Sequence, residues 1–227
     1  LTYFYTEKVG LAAGMVATML LVAKIIDAFS DLLMGKIVDA GKSPKGKCRP
    51  WFIRMAIPVF VMIVLLFTVP KNAGSGVQAA YVLITNILIT AVVYTAVAIP
   101  YGALMAMRTE SSEERGKMGI FRAAFGYLAG MIIAILLIPI TNMLGGTQSA
   151  WIKVAVIFGL ISVLSLLFLY KVSKENVQIV EKSEDEDVQF AEGLKILFKN
   201  KYWGIMLILQ FLMNISYGLS TSGGTYY

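Results

Sequence analysis

Lys24-Ile25-Ile26-Asp27-Ala28-Phe29-Ser30-Asp31 lies inside an apolar segment that runs from Leu11 to about Gly35. The segment is long enough to cross a bilayer as a helix. Lys24, Asp27 and Asp31 follow one another at spacings of three and four. On a helix those spacings stack all three on one face. A charge at membrane depth costs several kcal/mol unless it pairs or meets water, so such charges are rare and usually functional. A structural ion pair of Lys24 with Asp27 is the plainer reading. The second carboxylate, one turn further on, is what that reading leaves over.

Composition agrees with a membrane setting. Hydrophobic residues make up 58% of the 227 and charged residues 15%, and mean hydropathy is +0.74. A soluble domain carries nearer a quarter charged residues. Long apolar runs point to helices rather than to the short alternating strands of a barrel. The sequence has no His and one Cys, Cys48. An internal disulfide, a Cys/His zinc site and His-dependent catalytic arrangements are therefore excluded. The chain opens and closes inside apolar, aromatic-rich stretches and reads as a piece cut at both ends. The net charge of +6 sits in short loops beside apolar runs, which is a topology signal and not a nucleic-acid one.

Working outward, Leu1–Tyr5 reads as a helix end and 6–10 as a tight turn. Complete spans are expected at Leu11 to Gly35, Trp51 to Val69, Gln78 to Met105, Met118 to Asn142 and Ala150 to Tyr170. A further span begins at Tyr202. The chain thus divides into a bundle over 1–170, a polar linker over 171–201 and the start of another helix over 202–227. Fifteen Lys or Arg residues fall in 36–54, 108–117 and 171–201, against Lys8, Lys71 and Lys153 on the other side. The positive-inside rule makes loops 36–50, 106–117 and 171–201 cytoplasmic, in a cell inner (plasma) membrane. Glu181 to Asp187 is acidic and reads as a mobile linker. Phe190, Leu194, Leu197 and Phe198 then recur at helical spacing. They predict an amphipathic helix that lies on the membrane surface or on a partner helix. Gly224-Thr225-Tyr226-Tyr227 resembles Leu1-Thr2-Tyr3-Phe4 six helices earlier, which suits a parallel repeat of six-helix halves.

The loop Gly35-Lys36-Ile37-Val38-Asp39-Ala40-Gly41-Lys42-Ser43-Pro44-Lys45-Gly46-Lys47-Cys48-Arg49-Pro50-Trp51 is the most specific sequence present. It resembles the helix II–III loop motif of the major facilitator superfamily. The Asp27/Asp31 pair, Arg49-Pro50-Trp51, Ile99-Pro100-Tyr101-Gly102-Ala103-Leu104 and Glu113-Glu114-Arg115 narrow the match. Together they resemble the glycoside-pentoside-hexuronide:cation symporters, over nearly the whole chain. The resemblance implies an all-α membrane protein of that superfamily: a six-helix N-terminal bundle with helix I truncated, then the start of helix VII.

The resemblance also implies roles. Asp27 and Asp31 match carboxylates that hold the coupling cation, with Ser30 and Thr95 beside them. Lys24 matches a basic residue of the charge network. Tyr94 and Arg122 match substrate-side positions, and Lys24 and Asp27 border the same substrate. Gly35, Asp39, Gly46 and Arg49 match the loop motif. Two positions depart from the family: Ala98 stands where a polar residue is usual, and Leu32 where Pro is usual.

The residues themselves carry part of this chemistry. Two carboxylates one turn apart can share a sodium ion through hard oxygen ligands, or share a proton. Arg122 offers a planar fork for hydroxyls or a carboxylate, or snorkels to the interface as helix-end arginines do. Pro100 marks a bend near the site or a plain kink. Gly126 and Gly130 predict close helix packing. The expected function is sugar or glycoside symport with Na+ or H+, without a cofactor and without enzymatic activity. The complete carrier is expected to be a monomer in the lipid bilayer. A Na+-coupled carrier of lipids or other amphiphiles, and a membrane sugar sensor that does not transport, are the alternatives.

Overall fold

The computed structural model describes residues 1–41, 43, 46–176 and 190–224. Lys42, Pro44 and Lys45 of the loop, the acidic linker around Glu181 to Asp187, and the repeat at 225–227 lie outside them. So do the side chains of Phe190 and Leu194. The chain forms two compact units, Leu1–Lys182 and Ser183–Tyr227.

The first unit is helical throughout its described elements. A π-helical turn, Phe4–Lys8, comes first. There follow α1 (Ala13–Asp39), α2 (Arg49–Phe67) and α3 (Ser75–Ile87). A π-helical stretch, Leu88–Tyr94, joins α3 to α4 (Thr95–Arg108). Then come α5 (Ser112–Met143) and α6 (Gln148–Val172). Among the described residues four helices are long and apolar enough to cross a membrane: Arg49–Phe67, Ser75–Arg108, Ser112–Met143 and Gln148–Val172. Helix α1 has 27 residues, about 40 Å at 1.5 Å per residue, and carries the three charges.

Several boundaries move from their expected places. The turn expected over 6–10 is helical as far as Lys8, and the chain then reverses at Gly10, whose φ is +83°. Such a φ suits glycine, which has no Cβ to clash. Helix α1 runs on through Asp39, so Lys36 to Asp39 belong to a helix and not to the loop. Pro100 lies inside α4, but the irregularity of that span is the π-helical stretch ending six residues before it. Gly126 and Gly130 have nothing within 4 Å of where a Cβ would stand. Helix α5 is exposed along nearly all its length, and no close helix packing is seen at 126 and 130 among the described residues.

The apolar core forms two groups. Met34 and Val38 of α1 pack with Cys48, Phe52, Ala56, Ala96, Leu104 and Leu166 at the basic end. Val16 of α1 packs with Phe4, Tyr5, Leu11, Val69, Val82 and Trp151 at the other. Asp27 sits between these groups along α1. Among the described residues Arg49 Nε and Trp151 Nε1 are buried without a hydrogen-bond partner, while the buried Asn86 and Tyr5 are paired, as burial favours. Asn86 donates to the Tyr5 hydroxyl at 3.1 Å, and Tyr5 donates to the Leu66 carbonyl at 3.3 Å.

Helix α6 packs along α2 as its principal neighbour in the first unit. Phe60 of α2 lies where a Cβ on Gly159 would come within 2.7 Å of its ring. Gln148, at the start of α6, donates to the Phe67 and Val69 carbonyls at 2.9 and 2.7 Å. These lie at the C-terminal end of α2, where carbonyls lack helical partners.

The second unit holds α7 (Phe190–Lys199) and α8 (Lys201–Gly224). Helix α7 matches the expected amphipathic segment in extent. Asn200 breaks the run between them, and its side-chain oxygen accepts from the Tyr202 amide at 3.0 Å as an N-terminal cap. Phe198 and Trp203 meet edge to face across this corner, 5.1 Å between centroids.

Candidate cation and substrate site

Helix periodicity places Lys24, Asp27 and Asp31 on the face of α1 that meets the π-helical stretch and α4. Lys24 Nζ lies 2.9 Å from Asp27 Oδ2. The lysine side chain is 68% exposed and the aspartate side chain 11%, so the pair joins a charge at the surface of the helix bundle to a nearly buried one. Thr95, 1% exposed, lies between the two carboxylates. Its Oγ1 is 3.1 Å from Asp27 Oδ1 and 2.9 Å from Asp31 Oδ1. The same hydroxyl is 3.0 Å from the Thr90 carbonyl. Ser30 donates its hydroxyl to the Ala91 carbonyl.

The π-helical stretch explains the position of Thr95. Its wider turn pairs each N–H with the carbonyl five residues back, and the Thr95 N–H accordingly meets the Thr90 carbonyl. Local register and tertiary contact therefore converge on one residue.

A threonine hydroxyl has one proton to donate. Here three acceptor oxygens surround it, two of them on carboxylates. The cluster is short of positive charge even with Lys24 on Asp27. Oxygen shells of hard cations such as calcium have metal–oxygen distances of about 2.3–2.6 Å. Oxygens about 3 Å apart are compatible with neighbours in such a shell, and equally with a shared proton. Asp27, Asp31 and Thr95 are the residues able to hold either.

Tyr94 and Arg122 fall elsewhere in the same region. Both line a cavity of about 740 Å³ bounded by α4, α5 and α6, together with Ala98, Tyr101, Arg108 and Phe125. Arg122 lays its guanidinium over the Tyr101 ring, 4.8 Å from the centroid, as cation–π pairs do. Lys24 and Asp27 are not part of this lining. The backbone step from Tyr94 to Thr95 connects cavity wall and polar cluster. Ala98 faces the cavity and brings no polar side chain to it.

The loop motif separates into two pairs. Gly35 has open space where its Cβ would be, so no close helix approach depends on it here. Asp39 is exposed at the last position of α1. Gly46 and Arg49 instead meet the exit of α6. Glu175 accepts three backbone N–H bonds at the start of α2: from Lys47 at 2.8 Å, and from Cys48 and Arg49 at 3.0 Å each. Arg49 in turn donates to the Tyr170 carbonyl at 3.0 Å and stacks on the Tyr170 ring at 5.1 Å. A carboxylate thus sits on the positive end of one helix and a guanidinium on the negative end of its neighbour, as helix dipoles favour.

Gly46 holds φ at +101°, and a Cβ there would lie 2.5 Å from the Glu175 carboxyl. Cys48 is fully buried beneath this contact. Burial first, then the charge of Glu175, pushes its thiol up to about 12. Sequence reasoning missed Glu175 and Tyr170. Glu175 stands 128 residues from Lys47, and no local pattern links them.

A model of the family described as MFS/sugar transport protein matches residues 1–227. The isoprimeverose transporter of Lactiplantibacillus pentosus is 33% identical over 216 residues, 93% of this chain and 44% of that protein. The putative glycoside/cation symporter YagG of Escherichia coli K12 is 34% identical over 230 residues, 100% of this chain and 48% of that protein. The inner membrane symporter YicJ of Escherichia coli K12 is 31% identical over 209 residues, 91% and 44% respectively. The chain spans about half the length of the curated relatives it matches.

Proposed function

This chain belongs to the MFS/sugar transport protein family of multi-pass membrane proteins, and we propose that it supplies one half of a sugar or glycoside symporter driven by Na+ or H+. The observation that carries the reading is the Thr95 hydroxyl shared by Asp27 and Asp31. In this reading residues 1–170 are the first bundle, 171–201 a cytoplasmic linker and 202–227 the start of the second. The basic loops face the cytoplasm of a cell whose inner membrane holds the carrier.

The proposed cycle follows from charge. Without a cation, Asp27 and Asp31 leave the cluster short of positive charge, and Lys24 offsets only part of it. A sodium ion or proton arriving between Asp27, Asp31 and Thr95 neutralises this face. The cavity walled by Tyr94, Tyr101 and Arg122 then takes the sugar, with the Arg122 fork on hydroxyl or carboxyl oxygens. Loaded halves rock about the site and open it to the cytoplasm. The coupling is reciprocal, so sugar tightens the cation by the factor that the cation tightens sugar.

Uptake into membrane vesicles of the complete carrier tests this. A panel of neutral and acidic glycosides, isoprimeverose among them, is run with a sodium gradient, with a proton gradient and with neither. Gradient-driven accumulation of one or more sugars is expected, with loss in Asp27→Asn and Asp31→Asn. Arg122→Ala is expected to weaken sugar affinity and leave cation binding. Unchanged gradient dependence in both carboxylate variants would sink the coupling role. A second reading, an amphiphile carrier, draws on the apolar wall at Ala98, Met105, Phe121 and Phe125. Binding of lysolipid in preference to every glycoside would favour it.

A further inference from the structure

The carboxylate of Glu175 belongs to neither the polar cluster nor the cavity, yet three backbone amides converge on it. Its two oxygens take three amide protons from consecutive residues, at 2.8, 3.0 and 3.0 Å. Bonds to a charged acceptor are stronger than neutral ones, and those at a helix start gain from the dipole as well. The contact is also a steric fit. Gly46 leaves the space that the carboxyl fills, and a side chain there would meet it at 2.5 Å. One residue on, the Asn176 amide donates to the Met107 carbonyl at 2.9 Å, near the end of α4. Residues 173–176 therefore tie the start of α2 and the end of α4 to the exit of α6.

We propose that Glu175 is a positioning residue for the conformational step of the carrier: it locks the loop before α2, through Gly46, as a fixed part of this bundle, and the lock stays shut in every state of the cycle. Three features argue for a permanent lock over a gate. Both oxygens of the carboxylate are engaged by amides of three consecutive residues, so releasing it would cost three charge-assisted bonds at once. Helices α2 and α6 are also joined at their middles by Phe60 against Gly159 and at the far end by Gln148. Rocking of a whole bundle, finally, needs its rim to move as one piece.

Cys48 is a built-in reporter. It is the only cysteine of this chain and is fully buried directly under the lock. In the complete carrier, with any cysteine outside this chain replaced by serine, the rate of N-ethylmaleimide labelling reads opening of the lock. Wild type is expected to label slowly, at one rate with and without sodium and each sugar of the uptake panel. Glu175→Ala is expected to label about tenfold faster or more, as loss of charged hydrogen bonds implies. Gly46→Ala is expected to label faster as well, because its Cβ displaces the carboxyl. The double variant is expected to be no faster than Glu175→Ala alone.

Where Glu175→Ala does not reach the membrane, Glu175→Gln keeps the volume and removes the charge, and the same acceleration is expected. In uptake, Glu175→Gln is expected to lower the maximal rate and leave the KM for sugar and cation within about twofold, since Glu175 itself lines neither the cavity nor the polar cluster; this arm and the labelling with sodium and sugar rest on the transport reading. Acceleration of wild-type labelling by sodium plus a transported sugar would overturn the proposal, because the lock would then open in the cycle. Labelling of the charge-removed variants as slow as wild type would overturn it too.

Discussion

Two carboxylate sites in this bundle are opposites. At the basic end Glu175 has three N–H donors for one charge, a glycine shaped to its outline and a buried thiol below. Along α1, Asp27 and Asp31 share one hydroxyl, and among the described residues Lys24 pairs with Asp27. Glu175 has more donors than charges. The α1 cluster has two carboxylates for one lysine, and that is why a cation or proton belongs there in the proposed function. Burial of an acid does not separate structural from functional roles here. The balance of donors against acceptors does.

This contrast makes opposite predictions for the same kind of substitution. Asp31→Asn should abolish gradient-driven uptake, because it removes one of the two carboxylates proposed to hold the coupling cation. The same variant should melt no lower than wild type, because one of two close like charges is gone. Uptake assays and a thermal melt on the purified carrier read the two halves of that statement. Glu175→Gln should do the reverse, lowering stability by about 2 kcal/mol while sugar and cation affinities hold. A melt and a binding titration distinguish these outcomes.

Smaller effects sharpen the picture. Gly159→Ala pushes a methyl into the Phe60 ring and should cost about 1–3 kcal/mol, read as a lower melting temperature. Lys24→Ala removes a largely exposed partner of Asp27. It should tighten the coupling cation a few-fold, measured by the cation dependence of uptake. The smallest effect concerns Cys48. Its thiol loses a proton near pH 9.0 when unfolded and near about 12 when folded. The folded state is therefore favoured fully below pH 9.0, and that contribution is lost as pH rises toward 12. Cys48→Ala should remove this part of the alkaline decline in a denaturation series, leaving the rest.

Much of the membrane architecture was legible because hydropathy and helical spacing are local. The α1 face shows the point: the three- and four-residue spacings of Lys24, Asp27 and Asp31 were enough to stack them. Motif resemblance then brought in Thr95, and the structure places its hydroxyl between the two carboxylates. What could not be read was long-range or register-dependent. The π-helical stretch at Leu88–Tyr94 has no breaker to announce it, and Pro100 drew the eye six residues too far. Gly126 and Gly130 read as contact glycines, yet close approaches fall at Gly46 and Gly159. A glycine's partner is chosen by tertiary packing, and neither Glu175 nor Phe60 is near its glycine in sequence. Glu175, which lies outside the loop motif, caps the start of α2.

The pinning of α2 between Gln148 and Glu175 works like a caliper set to one length. Helix α2 has 19 residues, about 28 Å at 1.5 Å per residue. Its carbonyl end is gripped from the start of α6 and its amide end from just beyond the finish of α6. Inserting one residue in either helix would turn the remainder by about 100°, swinging Phe60 off Gly159 or one jaw off its mark. Descendants of this chain are thus free to change side chains along both helices but not to lengthen one without the other. In an alignment of such chains the α2–α6 pair should appear as a stretch without gaps, with the length changes collected in the turns.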